Sequence, residues 1–220
     1  MKKIILIAVG VIFIALGLLA REFLVEPKSP PQAVQSAVID KGDYRLFSPA
    51  KAVNDFVLNT NEGDFSNQDL MNKWTFVIFG YTYCPDVCPT TLTRVKSVLS
   101  SLEETANVQI AFVSADPLRD TPQRLHQYVN YFDSRFLGLT TSHDKLFPFA
   151  QNLYLPYGIV AVQKSEDYAV NHSASIALIN PQGKYIAQFK PQHIAGEVPT
   201  VDMKKMAQSF KGIVNLQLAN

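Results

Sequence analysis

The sequence predicts an α/β domain that follows an apolar N-terminal segment. Three observations predict it: continuous apolar runs suited to buried strands, apolar residues at helical spacing between those runs, and turn residues that close two hairpins. With 220 residues, the chain is long enough for one domain with a substantial core. The formal net charge is +1 and no basic run stands out, so nucleic acid is not an expected partner.

The N-terminal segment predicts a membrane anchor. Met1-Lys2-Lys3 precede an unbroken apolar run, 4–20, which ends at Arg21 and Glu22. As a helix this run would be roughly 25 Å long at about 1.5 Å per residue, at the short end for crossing a bilayer. The positive-inside rule keeps the lysines in the cytoplasm and sends the rest of the chain across. A cleaved signal peptide is the alternative reading. We expect residues 1–22 to form an uncleaved single-pass anchor.

The segment after the anchor predicts an extended linker. Pro27, Pro30 and Pro31 lie here among small and polar residues, which favours a spacer over residues 23–45. The folded domain is then expected over residues 46–220. Because the N-terminal region lacks an Arg- and Ser-rich transit segment, we expect a bacterial inner membrane, with the domain in the periplasm.

The domain's elements can be predicted in order from turn residues and apolar periodicity. A first hairpin is expected from Phe56 to Phe65, closed by turn residues between its strands. Further strands are expected at 74–79, 108–113, 136–139, 175–180 and 184–189. Helices are expected at 90–102, from Thr121-Pro122 to Phe132, at 144–153, and from about Glu197 onward. This order predicts a mostly parallel core extended by antiparallel strands, a thioredoxin-like layout with an extra N-terminal hairpin.

Cys84 and Cys88 lie between the first buried strand and the helix that follows it. A helix N-terminus stabilises a thiolate through its dipole and free backbone N–H groups, which predicts a reactive dithiol. Two soft thiolates with an open third position suit Cu(I), and an added imidazole would also accommodate Cu(II). The alternative is a structural disulfide, but so short a loop would return little stabilisation.

Four histidines could complete such a site. His126 is expected near the polar face of a helix, His143 at a helix start, and His193 in a polar loop. His172 precedes a strand, in a loop of the kind where functional residues collect. By position alone, a structural role for His172 remains the more frequent case.

Three segments together resemble the Sco/SenC family of copper chaperones. They are FGYTYCPDVCP (79–89), DPLRDTP (116–122) and YAVNHS (168–173), and they occur in family order. The resemblance implies that Cys84, Cys88 and His172 bind one copper ion, as Cu(I) or Cu(II). It also implies a role in assembling the dinuclear copper centre of cytochrome c oxidase subunit II. An upstream periplasmic copper carrier would be a second partner.

The chain departs from the family pattern at two positions. Asn171 stands where the family usually has Asp, and Tyr83 stands where many members have His. A carboxylate beside a ligand histidine can orient the ring, so Asp86, Asn171 and Asp116 are candidates for tuning the ligands. The loop 116–122 favours a structural role, with Asp120 and Thr121 at a helix start, and partner docking or thiol tuning is the alternative.

The main alternative function is that of a thiol–disulfide oxidoreductase that reduces the acceptor's cysteines. The sequence therefore leaves open whether the predicted metallochaperone is also an enzyme. A peroxidase of related layout fits poorly, because both cysteines lie close together at the helix start.

Overall fold

The computed structural model describes residues 36–161 and 168–218, which form eleven strands, four α-helices and one 3-10 turn. The strands are β1 (Ala37–Asp40), β2 (Tyr44–Ala52), β3 (Val57–Asn59), β4 (Asp64–Ser66), β5 (Trp74–Gly80), β6 (Val108–Ser114), β7 (Phe136–Leu139), β8 (Tyr157–Ala161), β9 (Tyr168–His172), β10 (Ile176–Ile179) and β11 (Lys184–Phe189). The helices are α1 (Val87–Thr105), α2 (Pro122–Phe132), α3 (His143–Asn152) and α4 (Met203–Leu218), and the 3-10 turn is Asn67–Leu70.

Seven strands form one sheet in the order β1-β2-β11-β10-β5-β6-β7. The pairs β5–β6 and β6–β7 are parallel, whereas the other four pairs are antiparallel. The sequence predicts a mostly parallel core, but parallel pairing is confined to the three strands β5, β6 and β7, and antiparallel pairs are the majority in this sheet. The hairpins β3–β4 and β8–β9 form separate two-stranded sheets.

The sheet is covered on both faces by aromatic contacts from helices. Trp74 and Phe76 of β5 each pack edge-on against Phe210 of α4. Phe79, three residues beyond Phe76 and so on the opposite face, stacks on Phe149 of α3. The run 74–80 is fully buried, as its unbroken apolar composition predicts.

The loops that follow β5 and β6 leave the carboxyl ends of two adjacent parallel strands. They therefore meet at one edge of the sheet, where ligands bind in open α/β sheets. The first loop carries Cys84 and leads into the helix that carries Cys88, and the second carries Asp116 and Asp120.

The N-terminal boundary of the domain lies earlier than expected. β1 and the first residues of β2 lie within the segment 23–45 that the sequence predicts as a linker, so the expected boundary at residue 46 is about nine residues too late. A turn at Gly42, whose φ is +85°, joins β1, which contains the β-branched residues Val38 and Ile39, to β2, which contains the aromatic residues Tyr44 and Phe47. The predicted anchor, 1–22, lies outside the described residues. Among the helices in 36–161 and 168–218, none has the length and apolar content needed to cross a membrane.

Two helix starts differ from expectation. α4 begins at Met203 rather than near Glu197, because Pro199 lies in the intervening stretch and Asp202 accepts hydrogen bonds from the amides of Lys204 and Lys205, as an N-cap does. α1 begins at Val87 rather than at residue 90. Pro89 fits in its first turn because an amide there would have no acceptor within the helix.

The hairpin β8–β9 has no counterpart in the sequence prediction, which treats His172 as part of a loop. His172 is instead the last residue of β9, opposite Tyr157 of β8. Two strands of five residues carry too little periodic signal to predict alone, and such a pair is marginally stable without a partner surface.

Candidate metal centre

The two cysteines occupy different positions relative to α1. Cys84 lies in the loop before the helix, whereas Cys88 is its second residue. Both thiols are free, with Cys84 8% exposed and Cys88 2% exposed, so Cys84 is the sulfur nearer to solvent. The backbone N–H of Cys88 donates to Cys84 Sγ at 3.4 Å, which places that sulfur against the amino end of the helix.

Gly80 makes room for the second sulfur. A Cβ atom at this position would lie 2.7 Å from Cys88 Sγ and 2.5 Å from Cε2 of Phe112. Both distances are far below van der Waals contact, so only glycine lets the end of β5 approach this thiol so closely.

His172 completes the group from the other side of the site. Its Nε2 lies 3.4 Å from Cys88 Sγ, and its Nδ1 lies 3.1 Å from the carbonyl oxygen of Ser173. Because a carbonyl only accepts, the proton of the neutral ring is assigned to Nδ1. Nε2 then presents its lone pair to the cysteines, which is the form that binds a metal.

The ligand atoms of Cys84, Cys88 and His172 all lie within 4.8 Å of one another. Bonds of about 2.0–2.3 Å to a first-row metal place two ligands of one ion no more than about 4.6 Å apart. Three ligands around one ion lie closer together than this limit, so the three atoms would need to draw together by up to about 1 Å to bind it. Two thiolate sulfurs and an imidazole nitrogen form a donor set that fits copper.

The two thiols differ strongly in acidity. The hydrogen bond from Cys88, supported by the amides of Asp86 and Cys88, lowers the pKa of Cys84 to about 4 despite its burial. The pKa of Cys88 is raised, first because its thiol donates to Cys84 and then because it is buried. Without metal, one proton is thus held on Cys88 beside a Cys84 thiolate.

We predict that iodoacetamide at pH 6 labels Cys84 of the metal-free protein at least about tenfold faster than Cys88, because only a thiolate is alkylated. With its pKa lowered to about 4, Cys84 stays ionised at pH 6 and loses reactivity only as the pH falls through that value. Peptide mass spectrometry after timed quenching measures both rates. In denaturant at the same pH the two thiols should react slowly and alike, and equal rates in the folded protein would contradict the assignment.

The candidates for tuning the ligands differ in their contacts. Asp86 is exposed and contributes its backbone N–H to Cys84, while its carboxylate accepts from Thr90. The side chain of Asn171 is exposed. The sequence suggested that residue 171 orients the ring of His172, but in the structure the Ser173 carbonyl bonds that ring. Asp116 is fully buried in the loop after β6, where it accepts a hydrogen bond from Tyr168 and pairs with Arg119. Their effects on copper stay predictions.

The remaining histidines do not belong to the group formed by Cys84, Cys88 and His172. His126 of α2 bonds Asn130 at 2.9 Å, which agrees with a residue satisfied on its own helix. His143 is the first residue of α3 and bonds the Tyr157 hydroxyl at 3.0 Å. His193 lies in the loop after β11. The metal-ligating group found among the described residues includes none of them.

Asp120 has a role that the sequence did not indicate. Its buried carboxylate accepts from the backbone N–H of Thr82 at 3.0 Å and from the Ser114 hydroxyl at 2.6 Å. Thr121, not Asp120, caps α2. Asp120 therefore ties the cysteine loop to the end of β6. A buried carboxylate needs such partners, but the sequence gives no sign of its burial.

Comparison with known proteins agrees with this geometry. A family model described as SCO1/SenC matches residues 47–208, most of the chain. A protein of Stutzerimonas stutzeri, named as a candidate copper-binding protein, is 35% identical over 152 residues, covering 68% of this chain and 74% of that protein. The mitochondrial SCO1 homolog 1 of Arabidopsis thaliana is 31% identical over 148 residues, 66% of this chain. The match spans 44% of that relative's length, less than half.

A solved structure gives the same fold. The crystal structure of Arabidopsis thaliana ScoI with copper bound matches with a TM-score of 0.65 and 28% sequence identity. The match covers 77% of this chain and 100% of that chain. The thioredoxin-like α/β fold is thus confirmed, and the chain belongs to the SCO1/SenC family.

Proposed function

We propose that this protein is a copper chaperone that holds one copper ion through Cys84, Cys88 and His172 and delivers it to the dinuclear copper centre of cytochrome c oxidase subunit II. The copper is cargo, received from an upstream periplasmic carrier. An N-terminal helix at residues 1–22 would keep the domain at the periplasmic face of a bacterial inner membrane. The charge and apolar pattern of that segment supports this part of the proposal.

One observation carries the proposal: the side chains of two cysteines and one histidine, which are soft and borderline metal donors, lie close together where β5 ends and α1 begins. The family relatives support it, since a solved member holds copper. Cys84 is the more exposed of the two thiols, so an acceptor's thiolate would approach the ion from the side of Cys84. Exchange of soft ligands between two such sites is the chemistry that delivery requires.

We predict that His172→Ala lowers the affinity for Cu(I) by about 10-fold or more, because loss of a ligand should cost at least what loss of a ligand's own hydrogen-bond partner costs. A competition titration of the reduced domain with a chromophoric Cu(I) chelator measures the change. In the same variant, Cu(II) spectra should lose the nitrogen contribution. His126→Ala is the matched control and should bind as the unaltered protein does. Unchanged affinity and spectra in His172→Ala would remove the histidine from the site.

A second candidate function is reduction of the acceptor's disulfide, and the lowered pKa of Cys84 favours it. Cys84 thiolate would attack one sulfur of that disulfide, forming a mixed disulfide and releasing the other sulfur as a thiolate. Cys88 would then lose its proton to solvent and attack Cys84, releasing the second acceptor thiol. Two electrons pass to the acceptor, and a Cys84–Cys88 disulfide remains.

His172 separates the two functions. Copper delivery needs the imidazole, whereas thiol–disulfide exchange needs only the cysteines. Complementation of an oxidase-assembly defect should therefore fail with His172→Ala if delivery is the function. Full complementation by that variant, with failure of Cys84→Ser, would favour the reductase.

A further inference from the structure

We propose that Arg119, with Asp116 and Tyr168, is a clamp that fastens the histidine-bearing hairpin β8–β9 to the cysteine loop and so sets the position of His172. These three residues contribute no ligand atom and act through β9. The inference rests on the proposed copper site and extends it to residues that position a ligand.

The clamp begins at the far end of β9. The Tyr168 hydroxyl donates to Asp116 Oδ1 at 2.6 Å, and Asp116 also forms an ion pair with Arg119. The Arg119 guanidinium carbon lies 3.8 Å from the centre of the Tyr168 ring. The first residue of β9 is therefore held by both a hydrogen bond and a cation–π contact.

Strand geometry transmits this hold to the ligand. Tyr168, Val170 and His172 are two residues apart, so their side chains share one face of β9. Each contacts the domain: Val170 is buried, and the Tyr81 ring packs edge-on against the His172 ring with the ring centres 5.9 Å apart. Fixing the strand at Tyr168 and at its middle leaves His172 little freedom about four residues, or roughly 13 Å, further on.

Arg119 also reaches the cysteine loop. Its guanidinium carbon lies 4.8 Å from the ring centre of Tyr83 and 5.9 Å from that of Tyr81, the residues just before Cys84. One planar cation thus contacts aromatic rings of the loop that carries Cys84 and of the strand that carries His172. The positions of the cysteine loop and of the histidine strand therefore both depend on contacts with Arg119.

Burial explains why the arrangement is rigid. Asp116 has no exposed surface, and an unpaired carboxylate there would be costly, so its contacts to Arg119 and Tyr168 are held firmly. The hairpin β8–β9 pairs with no strand of the main sheet and would be marginal on its own. Without the clamp, His172 would occupy its binding position for only part of the time, and copper affinity falls by that fraction.

The test uses Tyr168→Phe, which removes one hydrogen bond and keeps the ring under Arg119, and Asp116→Asn, which removes the charge. Each is made with His172 present and with His172→Ala, and Cu(I) affinity is measured in all combinations. We expect a loss of about 3- to 10-fold when His172 is present, smaller than the roughly 10-fold or more that a ligand's direct hydrogen-bond partner contributes, because the clamp acts through the strand. No further loss is expected with His172→Ala, because the clamp acts only through that ligand. Tyr131→Phe, an exposed change on α2, is the matched control.

A second measurement keeps the clamp testable apart from copper. Hydrogen exchange of the metal-free protein should show the Val170 amide exchanging faster in Tyr168→Phe, while amides of β5 stay unchanged. Equal losses of affinity with and without His172, or unchanged exchange in β9, would overturn the clamp. If His172→Ala alone leaves copper binding unchanged while β9 exchange still responds, the three-ligand site fails and the clamp is only a structural contact, which overturns its role in positioning a ligand.

Discussion

Gly80→Ala is expected to destabilise the domain by about 1–3 kcal/mol, the usual cost of overpacking a core, and to weaken Cu(I) binding in the molecules that remain folded. The added methyl group would meet Phe112, which has no exposed surface, and the sulfur of Cys88. The side chains of Phe112 and Cys88 are both buried and cannot move aside easily. The strain therefore falls both on the core and on one of the proposed copper ligands.

The copper effect follows from the position of the methyl group. To relieve a 2.7 Å contact, Cys88 Sγ must move away from β5. That movement changes its distance to both Cys84 and His172, so we expect affinity to fall about 10-fold, as for other disturbances next to a ligand. Urea unfolding of the metal-free protein measures the stability, and chelator competition measures the affinity.

Gly183→Ala provides the control. Gly183 lies in the turn between β10 and β11 with φ of +67°, where alanine is strained, yet a Cβ there would meet only Met71 at 3.5 Å. This turn is at the Ile179 end of β10, whose partner in β5 is Thr75, at the opposite end from the cysteine loop. Stability should drop while Cu(I) affinity stays unchanged. Equal copper losses in the two variants would mean that the Gly80 effect is only global.

Much of the fold could be predicted because its signals are local. The apolar run at 74–79 identifies the central strand, and Thr121-Pro122 identifies a helix start that the structure confirms through the Thr121 cap. Such patterns depend on neighbours within one or two turns of chain. The number of antiparallel strand pairs was harder to predict from the sequence, because it depends on the pairing of β2 with β11, which are more than 130 residues apart.

The dithiol could be predicted from residues alone, since its spacing and its place before a helix are local features. His172 could not, because its contact with Cys88 joins positions 84 residues apart. Only the family resemblance assigned it to copper, and the geometry now brings it to the thiols. An alternation at 168, 170 and 172 was present as a signal for β9, but a five-residue strand is too short for periodicity to decide.

The contacts that hold the ligands were the least predictable part. The Ser173 carbonyl that orients His172 belongs to the backbone, and its direction depends on the strand pairing that ends at Tyr157. The role of Gly80 depends on the absence of a side chain, and that of Asp120 depends on burial. Each is a property of packing between distant segments, which composition and periodicity do not encode.

Cys88→Ser is expected to lower Cu(I) affinity by more than about 100-fold, beyond the range seen when only a ligand's partner is lost. Serine offers a hard, protonated oxygen where Cu(I) prefers a soft thiolate. Cys88 also contacts both other residues of the site, since its thiol donates to Cys84 and lies 3.4 Å from His172 Nε2. Its loss therefore removes a donor and a contact that holds the other two together.

The fold should tolerate this change better than the metal site does, because serine is the smaller residue and leaves the packing around Gly80 without a clash. Anaerobic chelator competition with Cys88→Ser, Cys84→Ser and the unaltered protein measures the effect, and urea unfolding verifies that each variant is folded. Cys84→Ser should also lose affinity, and it should leave the Cys88 pKa closer to the ordinary thiol value, because the hydrogen bond to Cys84 is the first cause of its rise. A Cys88→Ser protein that keeps Cu(I) within threefold of the original affinity would exclude a site built on both thiolates.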